Sequence, residues 1–329
     1  MKTALLFSGY GSQFVGMGKE LYDEYRIVQE YFEEASHVLD INFVKLCFAS
    51  SDAELSKMIN AYSSLFLIGT SVYAILKEHN IPIDVVAGYN NGESAALFAA
   101  GCFSFPDGLY LLHKFCSFYQ DAVDQMDVDA LHIIGIATAQ LEKACEMVSK
   151  ESDRKIAVAI YNSPTDHIVT GNCDQLAELY TMFDGQATME YIGAEVGLHS
   201  SLMNGVVDQF KIFLEKVDFK DLKIPLISCI DGAIITAGSD TKERFLRHIN
   251  EPLEWFKIMR ALSEYDCIVI ANPLFCSASS EGKTHNFYDM IKNQYPDKTV
   301  ITITTSADIE KIKRIVQVKN ENTGLIDGN

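Results

Sequence analysis

Two glycines that flank an asparagine, Gly88-x-Asn90-x-Gly92, are the first candidate for chemistry in this sequence. A G-x-S-x-G pattern between a strand and a helix forms a nucleophile elbow, in which a serine hydroxyl attacks a carbonyl and backbone N–H groups stabilise the oxyanion. Here asparagine stands where the serine would be, and its amide cannot form an acyl-ester intermediate. The alternative is that the two glycines only make a tight turn.

Four segments of the chain together resemble the malonyl-CoA:acyl-carrier-protein acyltransferases. They are 8–18, which contains SGYGSQ and GMG; 86–101, which contains VAGYNNGE and ends in AAG; 161–172, which contains YNSP and IVTGN; and 198–203, which reads LHSSLM. Their order and spacing agree with that family from residue 1 to about residue 275. The resemblance implies fatty-acid or polyketide biosynthesis. It also implies a partner, which would be an acyl carrier protein or an acyl-CoA, with polyketide synthase modules as further candidates.

The departures from the family pattern fall on its acyl pocket. The resemblance places Asn90 at the nucleophilic serine and Tyr10 at the oxyanion-side glutamine of the first motif. Tyr62 replaces a glutamine of the pocket helix, and Phe115 replaces the arginine that pairs with the malonyl carboxylate. The pocket is therefore expected to favour an apolar or aromatic acyl group. The resemblance also assigns Gly11, Tyr89 and Asn91 to the elbow and oxyanion region and Asn162 to the acyl pocket.

A histidine and a cysteine remain as candidate reactive groups around this pocket. The resemblance makes His199 the general base that would activate the serine, and its whole motif is present. A lone histidine is nevertheless more often structural than catalytic. Cys116 lies beside the lost arginine position and could be a substitute thiol nucleophile, but a small buried hydrophobic role is commoner for a free cysteine.

Alternating strand and helix patterns predict the elements that would position these residues. Apolar runs predict strands at 4–7 and 83–87, each followed by a glycine-rich turn, and helices at about 18–39, 63–76 and 94–101. After residue 200 the pattern predicts helices at 202–217 and 241–262 and strands at 224–230 and 267–271. The fold class is therefore α/β, and the resemblance makes the large domain α/β-hydrolase-like.

A second domain is predicted inside the first. Between residues 131 and 192 the order is strand, helix, strand, strand, helix, strand, which is the ferredoxin-like pattern. The expected boundaries are 1–128 and 197–310 for the large domain and 129–196 for the small one. The polar segment 311–329 is expected to be a flexible tail.

The composition excludes several function classes. The net charge of −18 argues against nucleic acid as a partner, because phosphate binding needs a basic surface. An acidic carrier protein would then need a local basic patch. The eight cysteines form no Cys-x-x-Cys pair and indicate neither a zinc site nor a disulfide frame. We therefore expect a cytoplasmic protein without metal or cofactor, and without a membrane span, because no apolar run reaches roughly 18 residues.

Three hypotheses about function follow from these features. The first is a pseudoenzyme that binds a carrier protein or a synthase module. The second is an enzyme that uses His199 directly as general base, for thioester hydrolysis or one-step acyl transfer. The third, ordinary malonyl transfer, conflicts with the missing nucleophile. A histidine aimed at an open, water-accessible cavity would favour the second hypothesis, and a histidine packed beneath Tyr10 and Tyr89 would favour the first.

Overall fold

The structure, a computed structural model, describes residues 1–150, 156–193, 195–271, 276–278 and 284–324. The strands are β1 (Thr3–Phe7), β2 (Val85–Gly88), β3 (Val128–Ile134), β4 (Ile156–Ser163), β5 (Asp166–Asn172), β6 (Thr188–Tyr191), β7 (Leu226–Ile227), β8 (Ile234–Ile235), β9 (Cys267–Ala271), β10 (Cys276–Ala278), β11 (Thr284–Asn286) and β12 (Thr299–Ile303). The α-helices are α1 (Lys19–Glu24), α2 (Arg26–Leu39), α3 (Phe43–Ala49), α4 (Asp52–Leu55), α5 (Met58–Glu78), α6 (Gly92–Ala100), α7 (Phe105–Val123), α8 (Thr138–Ser149), α9 (Cys173–Phe183), α10 (Asn204–Leu214), α11 (Gly238–Arg247), α12 (Trp255–Ala261), α13 (Phe287–Gln294) and α14 (Ser306–Gly324).

A six-stranded sheet in the order β12-β9-β1-β2-β7-β8 forms the large domain. The pairs are parallel except for the β7–β8 pair at one edge. The central strand β1 is buried along its whole length because its alternate residues face two cores. Leu5 and Phe7 pack under α2, α5, α6 and α7, whereas Ala4 and Leu6 pack under α12 and α13. The carboxyl ends of β1 and β2 therefore meet at one edge, where the elbow lies.

The small domain is a four-stranded antiparallel sheet in the order β4-β5-β3-β6. Helices α8 and α9 pack on it around a separate core that includes Leu131, Leu141 and Leu176. This strand order is that of a ferredoxin-like domain built from one β-α-β-β-α-β unit. The predicted fold class, α/β with a smaller inserted sheet domain, is confirmed.

The two domains are joined through the backbone of β4. Ile160 forms a parallel bridge with Leu253, which lies just before α12. The Leu253 N–H donates to the carbonyl of Ala159 at 2.9 Å, and the Tyr161 N–H donates to the carbonyl of Leu253 at 2.8 Å. Ile160 and Leu253 are both buried in the core beneath the large sheet. The small sheet is thus continuous with the large domain's core on that side.

Two predicted helices are interrupted. The 18–39 helix breaks at Tyr25, which is extended at φ −114°, and the Gln29 side chain satisfies the freed Tyr22 carbonyl at 2.9 Å. The 241–262 helix ends at Arg247 and restarts at Trp255. Pro252 explains this second break, because proline has no N–H to donate and its ring would clash with a carbonyl one turn earlier.

The C-terminal part of the chain, expected to be a flexible tail at 311–329, is helical as far as residue 324. Helix α14 continues to Gly324, and Ile309 and Ile312 are completely buried in the large core. Apolar residues three apart on a helix lie on one face, and this spacing anchors its first turns against the sheet. Residues 325–329 lie outside the described residues.

Helix α5 also departs from an expectation. It has 21 residues and is apolar enough to cross a membrane by length and composition alone, although no such segment was expected. Its most apolar stretch is 89% buried inside the protein. A helix that is apolar on all sides and surrounded by other elements is a core helix.

Candidate functional site

The elbow adopts the strand–turn–helix geometry that its glycines predict. Asn90 lies between β2 and α6 with φ 52°, a left-handed conformation that asparagine tolerates better than most residues. A Cβ on Gly88 would lie 2.0 Å from the Glu93 backbone nitrogen, and one on Gly92 would lie 2.4 Å from the Phe7 carbonyl oxygen. Both glycines are therefore required by close backbone approach, and the turn presents Asn90 at the position of an elbow nucleophile.

The Asn90 side chain is engaged by a glutamate that the sequence did not single out. Its Nδ2 donates to Glu195 Oε2 at 2.6 Å. The other carboxylate oxygen of Glu195 accepts a hydrogen bond from the Tyr62 hydroxyl. Tyr62 stacks on Phe115 with ring centroids 6.0 Å apart, so the carboxylate is held at the edge of an aromatic wall. The predicted site residues Asn90, Tyr62 and Phe115 are thus close together. Glu195 links Asn90 to Tyr62 through its two carboxylate oxygens.

Glu195 is a carboxyl group in an environment that disfavours its charge. Burial raises its pKa to about 7, and the hydrogen bonds from Tyr62 and Asn90 only partly oppose this rise. No cation among the described residues forms an ion pair with it. Its charge in turn contributes to the raised pKa of the Tyr10 hydroxyl. Near neutral pH the carboxyl therefore exists in both protonation states.

Replacement of this carboxyl by an amide should change how stability depends on pH. Because the folded-state pKa of Glu195 exceeds that of a free glutamate, wild-type stability should fall as pH rises from about 4.5 to about 7. Glu195→Gln removes the ionisation, so the variant should gain stability relative to wild type over that window, by at most about 3 kcal/mol. Urea unfolding at pH 5 and pH 8 measures the difference.

The exposed Glu178→Gln in α9 is the matched control, and it should shift both measurements equally. A Glu195→Gln variant that tracks wild type at both pH values would show that the carboxyl is solvated and not held against Asn90.

Backbone geometry directs Glu195 into the site. Glu195, Gly197 and His199 all have positive φ, at 53°, 76° and 57°. The Gly197 N–H donates to Thr170 Oγ1 at 2.6 Å, and the Tyr119 hydroxyl donates to the Val196 carbonyl at 3.0 Å. These contacts fix the 195–199 segment between β5 and α7. A non-glycine residue in the left-handed region is strained, and two such residues within five indicate that tertiary contacts impose this conformation.

His199 lies beneath the elbow and is almost completely buried. Its Nδ1 donates to the His248 carbonyl at 2.6 Å, which leaves Nε2 as the nitrogen with a free lone pair. Nε2 is buried and has no hydrogen-bond partner. Burial lowers the His199 pKa to about 4, so the ring is neutral at physiological pH.

The cavity at His199 is very small. It has a volume of about 30 Å³ and is lined by several predicted site residues and by the aromatic residues of α7, α10 and α11. That volume holds one or two water molecules, and it is far below the roughly 300 Å³ at which ligand pockets begin. Its lining includes Tyr62, Asn90, Asn91, Phe115, His199 and His248.

Two amides of the predicted oxyanion region are occupied. The Tyr10 N–H donates to the Asn91 side-chain oxygen at 2.7 Å. The Gly11 N–H donates to Gln13 Oε1 at 2.8 Å. An oxyanion hole requires donors that point at the developing charge, and these two point at side chains instead. An acyl intermediate could use them only after Asn91 and Gln13 had moved.

The remaining predicted residues lie around the cavity and not in it. Tyr10 donates from its hydroxyl to the Ser56 carbonyl at 2.7 Å. Tyr89 points towards the small domain, where it donates to Asn162 Oδ1 at 3.0 Å. Asn162 was expected at the acyl pocket, but its amide also donates to Asp166 and it does not line the cavity. Cys116 is buried, and burial raises the pKa of its thiol well above the ordinary value, which opposes a nucleophilic thiolate.

Sequence reasoning missed Glu195 and His248. A signal for Glu195 exists, because it is an acidic residue between Gly193 and Gly197, four positions before His199. His248 supplies a backbone carbonyl, and any residue type can do so. This backbone role could not be predicted from its identity.

Comparisons with known proteins agree with the fold and the motifs. Residues 4–248 match the acyl transferase domain family, which is well over half of the chain. Malonyl CoA-acyl carrier protein transacylase of Bacillus subtilis (strain 168) is 30% identical over 256 residues, which cover 77% of this chain and 80% of that protein. Polyketide biosynthesis protein ThaF of Burkholderia thailandensis is 27% identical over 264 residues, which cover 79% of this chain and 22% of ThaF.

Solved structures show the same architecture. FabD from Acinetobacter baumannii has a TM-score of 0.87 at 23% identity, and the match covers 97% of this chain and 99% of FabD. A type II PKS acyl-carrier protein in complex with its malonyl-transacylase has a TM-score of 0.86 at 20% identity, covering 95% of this chain and 99% of the matched one. By sequence and by fold, the chain belongs to the acyl transferase family.

Proposed function

We propose that this protein is a non-catalytic member of the acyl transferase family that binds acyl carrier proteins in fatty-acid or polyketide biosynthesis. The observation that carries the proposal is the hydrogen bond from Asn90 Nδ2 to Glu195 at 2.6 Å. The elbow holds an amide that cannot be acylated, and a carboxylate of the protein itself covers that amide. The carrier protein follows from family relatives whose names include it.

The oxyanion region supports the same conclusion. Ping-pong acyl transfer needs a nucleophile and free N–H donors at the carbonyl oxygen. The Tyr10 and Gly11 amides are both bonded to side chains. Internal satisfaction of these donors stabilises the closed site, because a buried N–H without a partner costs roughly 1–3 kcal/mol. The site is thus arranged for stability and not for a developing negative charge.

The environment of His199 points in the same direction. A general base works best with a pKa near the working pH, and the His199 pKa is lowered to about 4. Its cavity of about 30 Å³ admits no acyl chain. His199 is almost completely buried, which supports the scaffold, although Tyr10 and Tyr89 do not line its cavity as the packed arrangement was expected to have them.

An intact-mass experiment with a binding arm tests the proposal. The protein is incubated with malonyl-CoA and with a set of acyl-carrier thioesters that includes aromatic and branched chains. We expect no covalent adduct and no loss of thioester, while calorimetry detects binding of the carrier protein. A stable acyl adduct, or the absence of binding to every carrier protein offered, would contradict the proposal.

A second candidate function is kept because His199 Nε2 is unprotonated, has no partner and faces a space large enough for water. In that case the protein is an enzyme in which His199 activates water or an acceptor directly. His199→Ala should then lower thioester turnover by roughly 10²–10⁴-fold and leave carrier binding unchanged. Under the scaffold proposal the same substitution leaves both the mass spectra and the binding unchanged and alters stability alone.

A further inference from the structure

Three side chains of types that can bind metal ions lie close together next to the elbow. They are Glu93 in the first turn of α6, Cys229 two residues after β7, and His248 at the C-terminal end of α11. Their ligand atoms all lie within 4.8 Å of one another. Each residue comes from a different part of the fold, so no local sequence motif predicts this cluster. Carboxylate, thiolate and imidazole are the donor types from which zinc sites are built.

The His248 ring has a nitrogen that is available to a metal ion. Its Nε2 is buried and has no hydrogen-bond partner. Burial lowers the pKa of the ring well below its ordinary value, although the nearby Asn90 backbone opposes this shift, so the imidazole is neutral. A neutral imidazole is the form in which histidine binds metal ions.

The Nε2 lone pair of His248 faces the carboxyl group of Glu93, whose oxygen can also accept a hydrogen bond. Its Nε2 lies 3.8 Å from Glu93 Oε2 and has no hydrogen-bond partner. Cys229 donates its thiol hydrogen to the same carboxyl oxygen. Burial raises the Glu93 pKa to about 7, and in the ionised form the carboxylate and the imidazole lone pair repel unless a proton or a cation lies between them. A thiol hydrogen is a weak donor, so the cluster lacks positive charge where its donor atoms converge.

We propose that Glu93, Cys229 and His248 bind one Zn²⁺ ion. On binding, the Cys229 thiol loses its proton to solvent, the sulfur and Glu93 Oε2 each form a bond to the metal, and His248 Nε2 provides the third. One thiolate, one carboxylate and Zn²⁺ sum to zero charge, which suits a buried position. The nearest further charges, Arg244 and Asp231, are paired with each other at 2.6 Å and cancel.

The required adjustment of the side chains is small. Zinc ligands at 2.0–2.3 Å from the metal lie roughly 3.3–3.7 Å from one another in a tetrahedron. The His248–Glu93 separation of 3.8 Å is already close to that value. Cys229 must move away from the carboxylate, because its sulfur is now in hydrogen-bond contact with Glu93 Oε2. The thiolate favours zinc over Mg²⁺ or Ca²⁺, which prefer oxygen ligands alone.

Cobalt substitution of the full-length protein tests the site. The protein is treated with a chelator, passed through a desalting column and titrated with Co²⁺. We expect one equivalent to produce the near-ultraviolet charge-transfer band of a cobalt–thiolate bond and the visible bands of tetrahedral Co²⁺. Protons should be released as Co²⁺ binds, and Zn²⁺ should then displace Co²⁺ and bleach both bands. The proposal does not depend on the proposed function, because no readout involves a carrier protein or a thioester.

Two variants assign the ligands. Cys229→Ser should abolish the charge-transfer band, and His248→Gln should weaken Co²⁺ binding by more than the roughly 10–100-fold that loss of a supporting group costs. Cys145→Ser, at another buried cysteine in the small domain, is the matched control and should leave the spectrum intact. Wild-type protein without a charge-transfer band, or a Cys229→Ser variant that keeps it, would overturn the proposal. The presence or absence of the band in the wild-type protein decides whether the site exists, even if a variant fails to fold.

Discussion

Asn90→Ser alone is expected not to give the protein efficient malonyl loading, although it restores the elbow's nucleophile. Two obstacles to recognition of the malonyl carboxylate remain. The Glu195 carboxylate occupies the space beside residue 90 and would repel the malonyl carboxylate. Phe115, stacked on Tyr62, offers that carboxylate no partner. Loss of a charged hydrogen bond alone costs about 1.5–3 kcal/mol, roughly 10–150-fold in rate.

The three changes Asn90→Ser, Phe115→Arg and Glu195→Ala together are expected to permit loading. Glu195 must be removed as well, because an arginine introduced at position 115 would otherwise pair with it across Tyr62. Intact-mass measurement after incubation with malonyl-CoA follows the adduct over time. The control is Asn90→Ala with the same other two changes, which should never acquire mass. Equal loading rates for the single and the triple variant would show that the pocket has lost only its nucleophile.

Gly92→Ala is expected to destabilise the fold by about 3 kcal/mol or more, the upper range for forcing atoms into a packed interior. The added methyl group would lie 2.4 Å from the Phe7 carbonyl oxygen and 2.7 Å from that of Ser8. Both are backbone atoms at the end of β1, so no side-chain rotation relieves the contact. Urea unfolding followed by circular dichroism measures the loss.

Gly205→Ala in α10 is the control for this substitution. A Cβ at Gly205 meets nothing within 4 Å. Alanine has the higher helix propensity, so this variant should be as stable as wild type or more stable, by up to about 1 kcal/mol. A Gly92→Ala protein with wild-type stability would mean that β1 and the elbow do not approach as closely as the structure places them.

The elbow and the domain organisation were predictable because short-range rules determine them. A strand, two glycines four positions apart and an apolar helix specify the turn at Asn90 whether or not it is reactive. The small domain follows from six alternating patterns between Val128 and Tyr191. The fold class and the family were predicted correctly from these features. Element ends were less accurate, as at Tyr25, where no proline or glycine marks the break.

The contents of the site were less predictable, because they depend on contacts between segments far apart in sequence. The bond between Asn90 and Glu195 joins residues 105 positions apart, and it requires a left-handed backbone at Glu195. The α14 segment is a related case. Its residues are mostly polar, but Ile309 and Ile312 are buried in the large core, and Ile315 and Val316 pack against it.

The β4–Leu253 junction has a consequence for how a partner could reach the elbow. Opening the molecule like a hinge would break both main-chain hydrogen bonds at Leu253 and expose Ile160, which lies in the core beneath the sheet. Separation of the two domains is therefore costly on this side, and the junction limits how far they can move apart. The 195–199 segment is then the part of the chain whose rearrangement would release Asn90, because Glu195 accepts the hydrogen bond from its side chain.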